Sequence, residues 1–474
     1  MTLLNSLKWS FFGEIFVKIS QPLIFLILAA ILTPEDFGLL ASALLVTAFS
    51  QIFWEAGLNK AIIQRKNNIE EASNFIFITN IVLALFFVIL IYFLSDIIAT
   101  SIFKDIRVAN ILKLMTIYIF FASCCSVQIA LLQKKMNFNK LFWVRVLTSL
   151  LPNVLAIPLA LNGFSYWSLI LTAIFGQFLQ FLVLILVHDW RPSLRLNKQV
   201  SYEIFSFGKW VLASSFLTWV FIWGDNLVVG YYLDIETFGI YRSGSQFANM
   251  FLAILFIPIQ PVLYSYLSKQ SSHDEIKNIS SKIINILSII CIPLAFSLFL
   301  VTKEYSNLLF DTKWLGIGLV ISSIFLTQGI AWIVGMNGEI YRSIGKPHYE
   351  LIANFISVFI YIPTYLWAIK YGLEVFLIAR ILLAFFAVFI HLYVLNLILK
   401  KRFIHLAKYL IVLLTLFAFW LILSNYIHHL LSPFGPIINI TLIILSASLV
   451  IFLFLRYIDK YQTLHEIKSL LLSK

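Results

Sequence analysis

Lys8 to Ser42 reads KWSFFGEIFVKISQPLIFLILAAILTPEDFGLLAS, an apolar helix that ends in the turn TPEDFG. The pattern returns without a gap from Lys209 to Ser243: KWVLASSFLTWVFIWGDNLVVGYYLDIETFGIYRS. Lys8 and Trp9 fall on Lys209 and Trp210, Leu26 on Leu227, and Leu32 on Leu233. Glu35 falls on Glu236, Phe37 and Gly38 on Phe238 and Gly239, and Ser42 on Ser243. The identities gather where a helix begins and where it turns. Shared lipophilic composition would scatter them, so the two stretches read as an internal repeat.

The chain around this repeat has 474 residues, 61% hydrophobic and 12% charged, with mean hydropathy +0.95. A soluble domain carries about twice that charge. Apolar runs of about twenty residues recur down the whole length, so the expected fold class is an all-α polytopic membrane protein. The runs are continuous, which excludes a β-barrel with its alternating strands of about ten residues. The first run is long and many follow it, so it is expected to be a span and not a cleaved signal peptide. Fourteen spans are expected. They lie near 10–32, 38–58, 73–95, 109–131, 141–161 and 166–187, then 209–232, 238–267, 282–301, 315–338, 349–369 and 373–398, then 406–426 and 435–457. The connections are short and leave no room for a soluble domain.

Charge sets the orientation. The net charge is +12, and 25 of the 34 lysines and arginines fall on the segments that share a side with the N-terminus. Five fall on the opposite segments: Lys104, Arg107, Lys303, Lys313 and Lys370. The asymmetry predicts N-in and C-in, and it explains the basic charge without nucleic acid. An offset of six spans gives both repeats one orientation, so they are parallel repeats about an axis along the membrane normal. The expected organisation is a six-helix lobe over 1–190, a cytoplasmic linker over 191–208, and a second six-helix lobe over 209–400. Two further helices and a cytoplasmic tail fill 401–474. The linker suits lobes that rock against each other.

No enzyme motif stands out: there is no P-loop, no H-E-x-x-H and no G-x-S-x-G, so the chain is read as a non-enzyme with no cofactor. Without a Walker site, work must come from an ion gradient, the membrane potential or a downhill substrate. Cys124, Cys125 and Cys291 lie in apolar runs and read as packing residues, with no disulfide or metal site. Ionisable groups inside spans are expensive in hydrocarbon, so each is a candidate. Glu14 and Lys18, four apart, share a helix face in the favourable order for a pair. Gln21 and Pro22 follow, and the proline frees a carbonyl, which suits a bend beside a cavity. Asp225 with Asn226 interrupts the apolar run of the seventh span. Its two readings are an ion or substrate site, or a structural clasp with Arg242 in the next span. Arg380 lies two turns into the twelfth span and Lys113 near the start of the fourth. Cations facing a cavity suit a diphosphate head group; snorkelling to the interface is the other reading, stronger for Lys113. Intramembrane amides, Asn80 and Gln128 among them, are expected to link helices. Pro152, Pro158, Pro258, Pro261, Pro293 and Pro363 mark bends. Trp167, Trp190 and Trp314 sit where an aromatic belt is expected.

Six stretches carry a resemblance. They are TPEDFGLLASALLV (Thr33–Val46), EAGLNKAIIQRK (Glu55–Lys66), ALLQKKMNFNKL (Ala130–Leu141), NGFSYWSLI (Asn162–Ile170), DNLVVGYYLDIETFGIY (Asp225–Tyr241) and YRSIGKP (Tyr341–Pro347). Together they resemble Wzx-type polysaccharide flippases of the colanic-acid and lipopolysaccharide-export branch. These belong to the multidrug/oligosaccharidyl-lipid/polysaccharide exporter superfamily. The resemblance covers most of 1–400 and implies two six-helix bundles working by alternating access. It implies a bacterial plasma-membrane protein that moves undecaprenyl-diphosphate-linked oligosaccharide outward for O-antigen, exopolysaccharide or capsule assembly. The implied partners are membrane lipids and the polymerase or export machinery, with proton or sodium coupling. An ion-coupled drug or metabolite antiporter of the same superfamily is the alternative. The family hands over no fixed residue set. Arg380, Arg242 and Lys18 as cavity cations, and Asp225, Asn226, Glu14 and Gln21 as coupling or structural groups, rest on the physical argument alone.

Overall fold

The computed structural model describes residues 20–55, 58–194, 196–256, 267, 273–346, 348–399, 404–431 and 435–459. Glu14, Lys18, Pro258 and Pro261 lie outside them. Every regular element among the described residues is a helix. Helices α1 (Ser20–Ile31), α2 (Pro34–Glu55), α3 (Leu58–Gln64), α4 (Ile69–Ile98) and α5 (Arg107–Lys134) come first. Next come α6 (Phe138–Leu161), α7 (Tyr166–Val187), α8 (Lys198–Tyr232) and α9 (Ile235–Phe256). The remainder are α10 (His273–Tyr305), α11 (Ile317–Ala331), α12 (Asn337–Ser343), α13 (His348–Ala368), α14 (Leu373–Leu399), α15 (Ile404–Leu431) and α16 (Pro436–Tyr457).

Among the described residues, eleven helices are long and apolar enough to cross a membrane. The other three expected spans overlap α1, α9 and α11, of which α1 and α11 are the shorter apolar helices; residues 10–19 and 257–266 of those spans lie outside the described residues. Exposed faces of the spanning-length helices carry large apolar residues such as Phe93 on α4, Phe359 on α13 and Ile437 on α16. With no water to satisfy them, backbone groups at that depth must pair within the helix, which is why the apolar runs are helical.

The chain divides into two compact units, Met1–Ser243 and Gly244–Lys474. In the first, α2 packs on α4, α5, α7 and α8. Asn80 on α4 meets Ser126 Oγ on α5 at 2.9 Å, one of the expected amide links. Gly176 on α7 lets that helix close on Pro152 of α6, where a Cβ would stand 3.0 Å from the ring. Helix α8 starts well before Lys209, because Val200 and Ile204 share one of its faces and bury against Leu58, Ile62, Ile76 and Leu131. In the second unit, α10 packs on α11 and carries the two C-terminal helices, α15 and α16. Helix α14 packs against α11 and α13.

Two expectations are corrected. Trp314 is not at an interfacial belt: it is 2% exposed, with Phe310 at 6.0 Å, because the connection after α10 folds back as short 3-10 turns. Lys113 does not simply snorkel, since its Nζ lies 3.1 Å from the Asp96 carboxylate at the end of α4.

Candidate functional site

The two repeated turns set the geometry. Thr33 precedes α2, and its N–H and hydroxyl donate to Asp36 Oδ2 at 2.8 and 2.9 Å. The Asp36 N–H returns to Thr33 Oγ1 at 3.4 Å, completing a reciprocal cap with Pro34 at the first helical position. Asp234 precedes α9 and accepts from the Thr237 N–H and hydroxyl at 2.8 and 2.7 Å. These caps stop the backbone groups at each helix start from being stranded at a tight reversal.

The α8–α9 hairpin brings together the side chains that the sequence singles out in this half. Asp225 is 9% exposed on α8. Its Oδ1 accepts from the N–H and the Nδ2 of Asn226, both at 2.7 Å. Its Oδ2 accepts from the hydroxyl of Tyr241 on α9, at 2.6 Å. A buried carboxylate survives only when donors replace the water it has lost, and these donors do so. Tyr241, fully buried, closes a clasp to Asp225 that the sequence reading did not name. Arg242 stacks on Trp223, its Cζ 4.4 Å from the ring centroid, while the Asp225 charge acts on it as well. Such a stack is worth about 0.5–2 kcal/mol and leaves the guanidinium edge free to bond. The Nε of Arg242 and the Oδ1 of Asn226 have no hydrogen-bond partner in the structure. Gln21 lies half-buried on α1 of the same unit.

Arg380 belongs to the second unit. It is 9% exposed on α14, a costly place for a guanidinium. The same helix carries His391, whose Nδ1 lies 3.2 Å from the hydroxyl of the fully buried Tyr341, with the rings nearly parallel. Arg342, next to Tyr341, pairs with Glu339 at 2.8 Å and with Glu350 at 2.6 Å.

Sequence reasoning passed over Tyr241, Trp223, His391, Asp36 and Ser165, and counted Arg107 only as a loop cation. One signal was present: the stretch DNLVVGYYLDIETFGIY begins at Asp225 and ends at Tyr241, the two ends of the hydrogen bond. Arg107 pairs with Glu35 and Asp105 at the start of α5, and the Ser165 hydroxyl donates to Asp36 Oδ1. Asp105 lies between α4 and α5, and the Arg107 guanidinium bonded to it holds its carboxyl below the usual range. Asp234 is also lowered: burial pushes it up, but the N–H and hydroxyl of Thr237 outweigh that. No cluster of metal-ligating side chains occurs among the described residues.

The fold is shared with solved transporters. A lipid II flippase, MurJ, in an inward closed conformation, superimposes with a TM-score of 0.66 at 14% identity, over 94% of this chain and 98% of that one. An inward-facing multidrug resistance MATE family transporter of the MOP superfamily gives 0.62 at 14% identity, over 82% of this chain and 99% of that one. In sequence, the chain is 25% identical over 308 residues to the succinoglycan biosynthesis transport protein ExoT of Rhizobium meliloti (strain 1021). That match spans 64% of this chain and 62% of the relative, less than two thirds of its length. It is 23% identical over 378 residues to the lipopolysaccharide biosynthesis protein WzxC of Escherichia coli (strain K12), covering 76% of this chain and 74% of that one. The polysaccharide biosynthesis protein family matches residues 27–318, more than half of the chain. With eleven spanning-length helices among the described residues, this chain is a multi-pass membrane protein and belongs to the polysaccharide biosynthesis protein family.

Proposed function

We propose that the protein is a flippase that moves an undecaprenyl-diphosphate-linked oligosaccharide from the inner to the outer leaflet of the bacterial plasma membrane, for surface-polysaccharide assembly. The family match over residues 27–318 carries this reading. The transport and biosynthesis names of the relatives support it. The full proposal has fourteen spans, both termini in the cytoplasm, and lobes over 1–190 and 209–400 joined by 191–208.

In this reading the sugar–diphosphate head enters a polar cavity while the polyprenyl tail stays in lipid. Arg380, Arg242 and Lys18 are the cavity cations. Arginine's planar fork suits a diphosphate because it meets two oxygens at once. Asp225, Asn226, Glu14 and Gln21 serve ion coupling or hold the helices. The chain acts as a transporter, not an enzyme, and hands its cargo to the polymerase or export machinery outside.

The test is translocation in proteoliposomes. A fluorescent undecaprenyl-diphosphate oligosaccharide is followed into the far leaflet, with and without a pH or sodium gradient. Movement faster than in protein-free vesicles supports the reading, and Arg380→Ala should abolish it at normal expression. Full activity in that variant removes Arg380 from the site. No movement by folded protein passes the lead to an ion-coupled antiporter. The buried Asp225 carboxylate and the fold shared with a multidrug transporter favour that second reading. It predicts resistance to cationic dyes on overexpression.

A further inference from the structure

We propose that the basic end of α7 is a binding site for the phosphate headgroup of an anionic phospholipid, which supplies the acceptor that the Nε2–H of His188 lacks. The site needs only a bilayer and stands apart from the flippase reading.

A small apolar core assembles it. Leu132 of α5, Leu141 and Val144 of α6 and Leu184 of α7 bury together, so these three helix ends close on one another. Lys135 follows Leu132 by about one turn, Lys140 precedes Leu141, and His188 follows Leu184 by about one turn. The same packing therefore carries all three to one end of the bundle. Both lysines and Arg191 are exposed, whereas His188 is 3% exposed. The Lys140 ammonium donates to the Val187 carbonyl at 2.8 Å. Arg191 donates to the Ile185 carbonyl at 2.8 Å and to the His188 carbonyl. These two cations cap the C-terminus of α7, where the last carbonyls need donors. Lys135 makes no hydrogen bond or ion pair among the described residues, so its charge serves no cap.

The histidine is held as a donor. The Trp190 N–H donates to His188 Nδ1 at 2.9 Å. A ring nitrogen that accepts carries no proton, so the proton of the neutral ring sits on Nε2. Burial, and then the charges of Lys135, Lys140 and Arg191, hold the imidazole below its ordinary range against the pull of Asp189, and so keep it neutral. His188 Nε2 is buried and has no hydrogen-bond partner among the described residues, and the same is true of Trp190 Nε1. The segment that carries both is pinned. The Ser193 N–H donates to Asn74 Oδ1 of α4 at 3.1 Å, and Asn74 Nδ2 donates to Ser193 Oγ at 2.7 Å. The Trp190 ring meets Phe77 edge-on at 5.6 Å. Buried donors beside three cations lack an acceptor, and the acceptor those charges favour is an anion.

Depth and surroundings favour a lipid over free phosphate. Helix α7 has 22 residues, about 33 Å at 1.5 Å per residue. That matches a hydrocarbon core of about 30 Å and sets His188 at the level of the headgroups. Leu182 and Leu186 are exposed one turn apart near this end of α7, Leu186 to 85%, and Trp143 is exposed near the start of α6. They give acyl chains an apolar surface beside the basic pocket.

The test uses the full chain in detergent, stripped of lipid, with bound lipid counted by native mass spectrometry. Phosphatidylglycerol should bind about tenfold or more tightly than zwitterionic phosphatidylethanolamine, and millimolar inorganic phosphate should not displace it. Lys135→Gln should weaken phosphatidylglycerol about fivefold, the worth of one basic residue at an anionic surface. His188→Leu removes a donor but no charge, and should weaken it about tenfold. Unchanged affinity in folded His188→Leu overturns the site and leaves only the general attraction of a basic surface. Equal binding of the two lipids, or displacement by inorganic phosphate, overturns an anionic phospholipid as the occupant. A second arm keeps the chain native, in case His188→Leu fails to fold. Phosphatidylglycerol with a photoactivatable headgroup should crosslink within residues 135–140 and 186–191, and crosslinks confined to other segments overturn the site. Neither arm involves transport, so a failed glycan assay sinks the flippase reading alone.

Discussion

TPEDFG and DIETFG occupy equivalent places in the two repeats, yet they are held in different ways. The difference begins with one exchange. The first turn places Thr33 at the cap and Asp36 three residues on, and the second places Asp234 at the cap and Thr237 three residues on. Either order closes the cap. In the first, the cap occupies Oδ2 of Asp36 and leaves Oδ1 for Ser165 on the next hairpin. In the second, both oxygens of Asp234 go to Thr237 and none is committed outside the turn. The neighbouring glutamates follow suit: Glu35 pairs with Arg107, whereas Glu236 is exposed. Swapping an acid and an alcohol within a cap therefore decides whether a helix start is also a tether. The same helical element is tied to neighbouring helices by its acids in one repeat, whereas in the other Asp234 bonds within its own turn.

Asp36→Ala should break this comparison most severely. It removes the cap and releases Ser165, whose backbone sits at φ 48°, an unfavourable region for serine. The loss should be about 2–4 kcal/mol, measured by thermal unfolding in detergent. Tyr241→Phe should follow, at about 1.5–3 kcal/mol, because a buried carboxylate loses a donor. It should also change the gradient dependence of transport if Asp225 couples to an ion. An unaltered gradient dependence would leave the Asp225–Tyr241 pair a structural clasp. Thr237→Ala, the counterpart of Asp36→Ala, should cost only about 1 kcal/mol, the worth of a cap alone. Equal losses at Asp36 and Thr237 would show that the tether to Ser165 carries no energy. Arg107→Ala should cost about 1 kcal/mol or less and should matter less at high salt, since the pair is partly exposed.

The sequence made the helices legible and left the bonds within them unread. Continuous apolar runs are enough to place α2, α4 to α8, α10 and α13 to α16, because a continuous apolar run in lipid can satisfy its backbone only as a helix. Periodicity was blind to the start of α8, since residues 198–208 read as a polar linker and only Val200 and Ile204 reveal a buried face. The hydrogen bond to Asp225 was not legible for a physical reason. Opposite charge pointed to Arg242, on which the Asp225 charge does act, but charge does not tell which residue of α9 faces α8 at that level, and it is Tyr241 that donates. The aromatic ring under Arg242 could not be foreseen in a chain with 16% aromatic residues. Burial of Trp314 likewise depended on how a loop folds back, which spacing does not encode.

The smallest effect is also the one that best separates the two turns. Asp105, beside the first turn, and Asp234, in the second, both have carboxyls held below the ordinary range. A depressed carboxyl contributes stability that is present above its unfolded value, about 3.9, and is lost as pH falls through the folded value. Both contributions should therefore disappear below about pH 4, and Asp105→Asn or Asp234→Asn should each flatten the acid limb of the stability curve. The causes differ, however. Asp105 is lowered chiefly by a charged partner, Arg107, whereas Asp234 is lowered by the neutral N–H and hydroxyl of Thr237. Salt screens the first kind of interaction and hardly touches the second. Raising the ionic strength should then shrink the difference between wild type and Asp105→Asn while leaving that between wild type and Asp234→Asn in place. The reading is the melting temperature between pH 3 and 6 at low and high salt. If both differences shrink alike, the second turn is also held by charge, and the contrast between the two carboxyls would have to be abandoned.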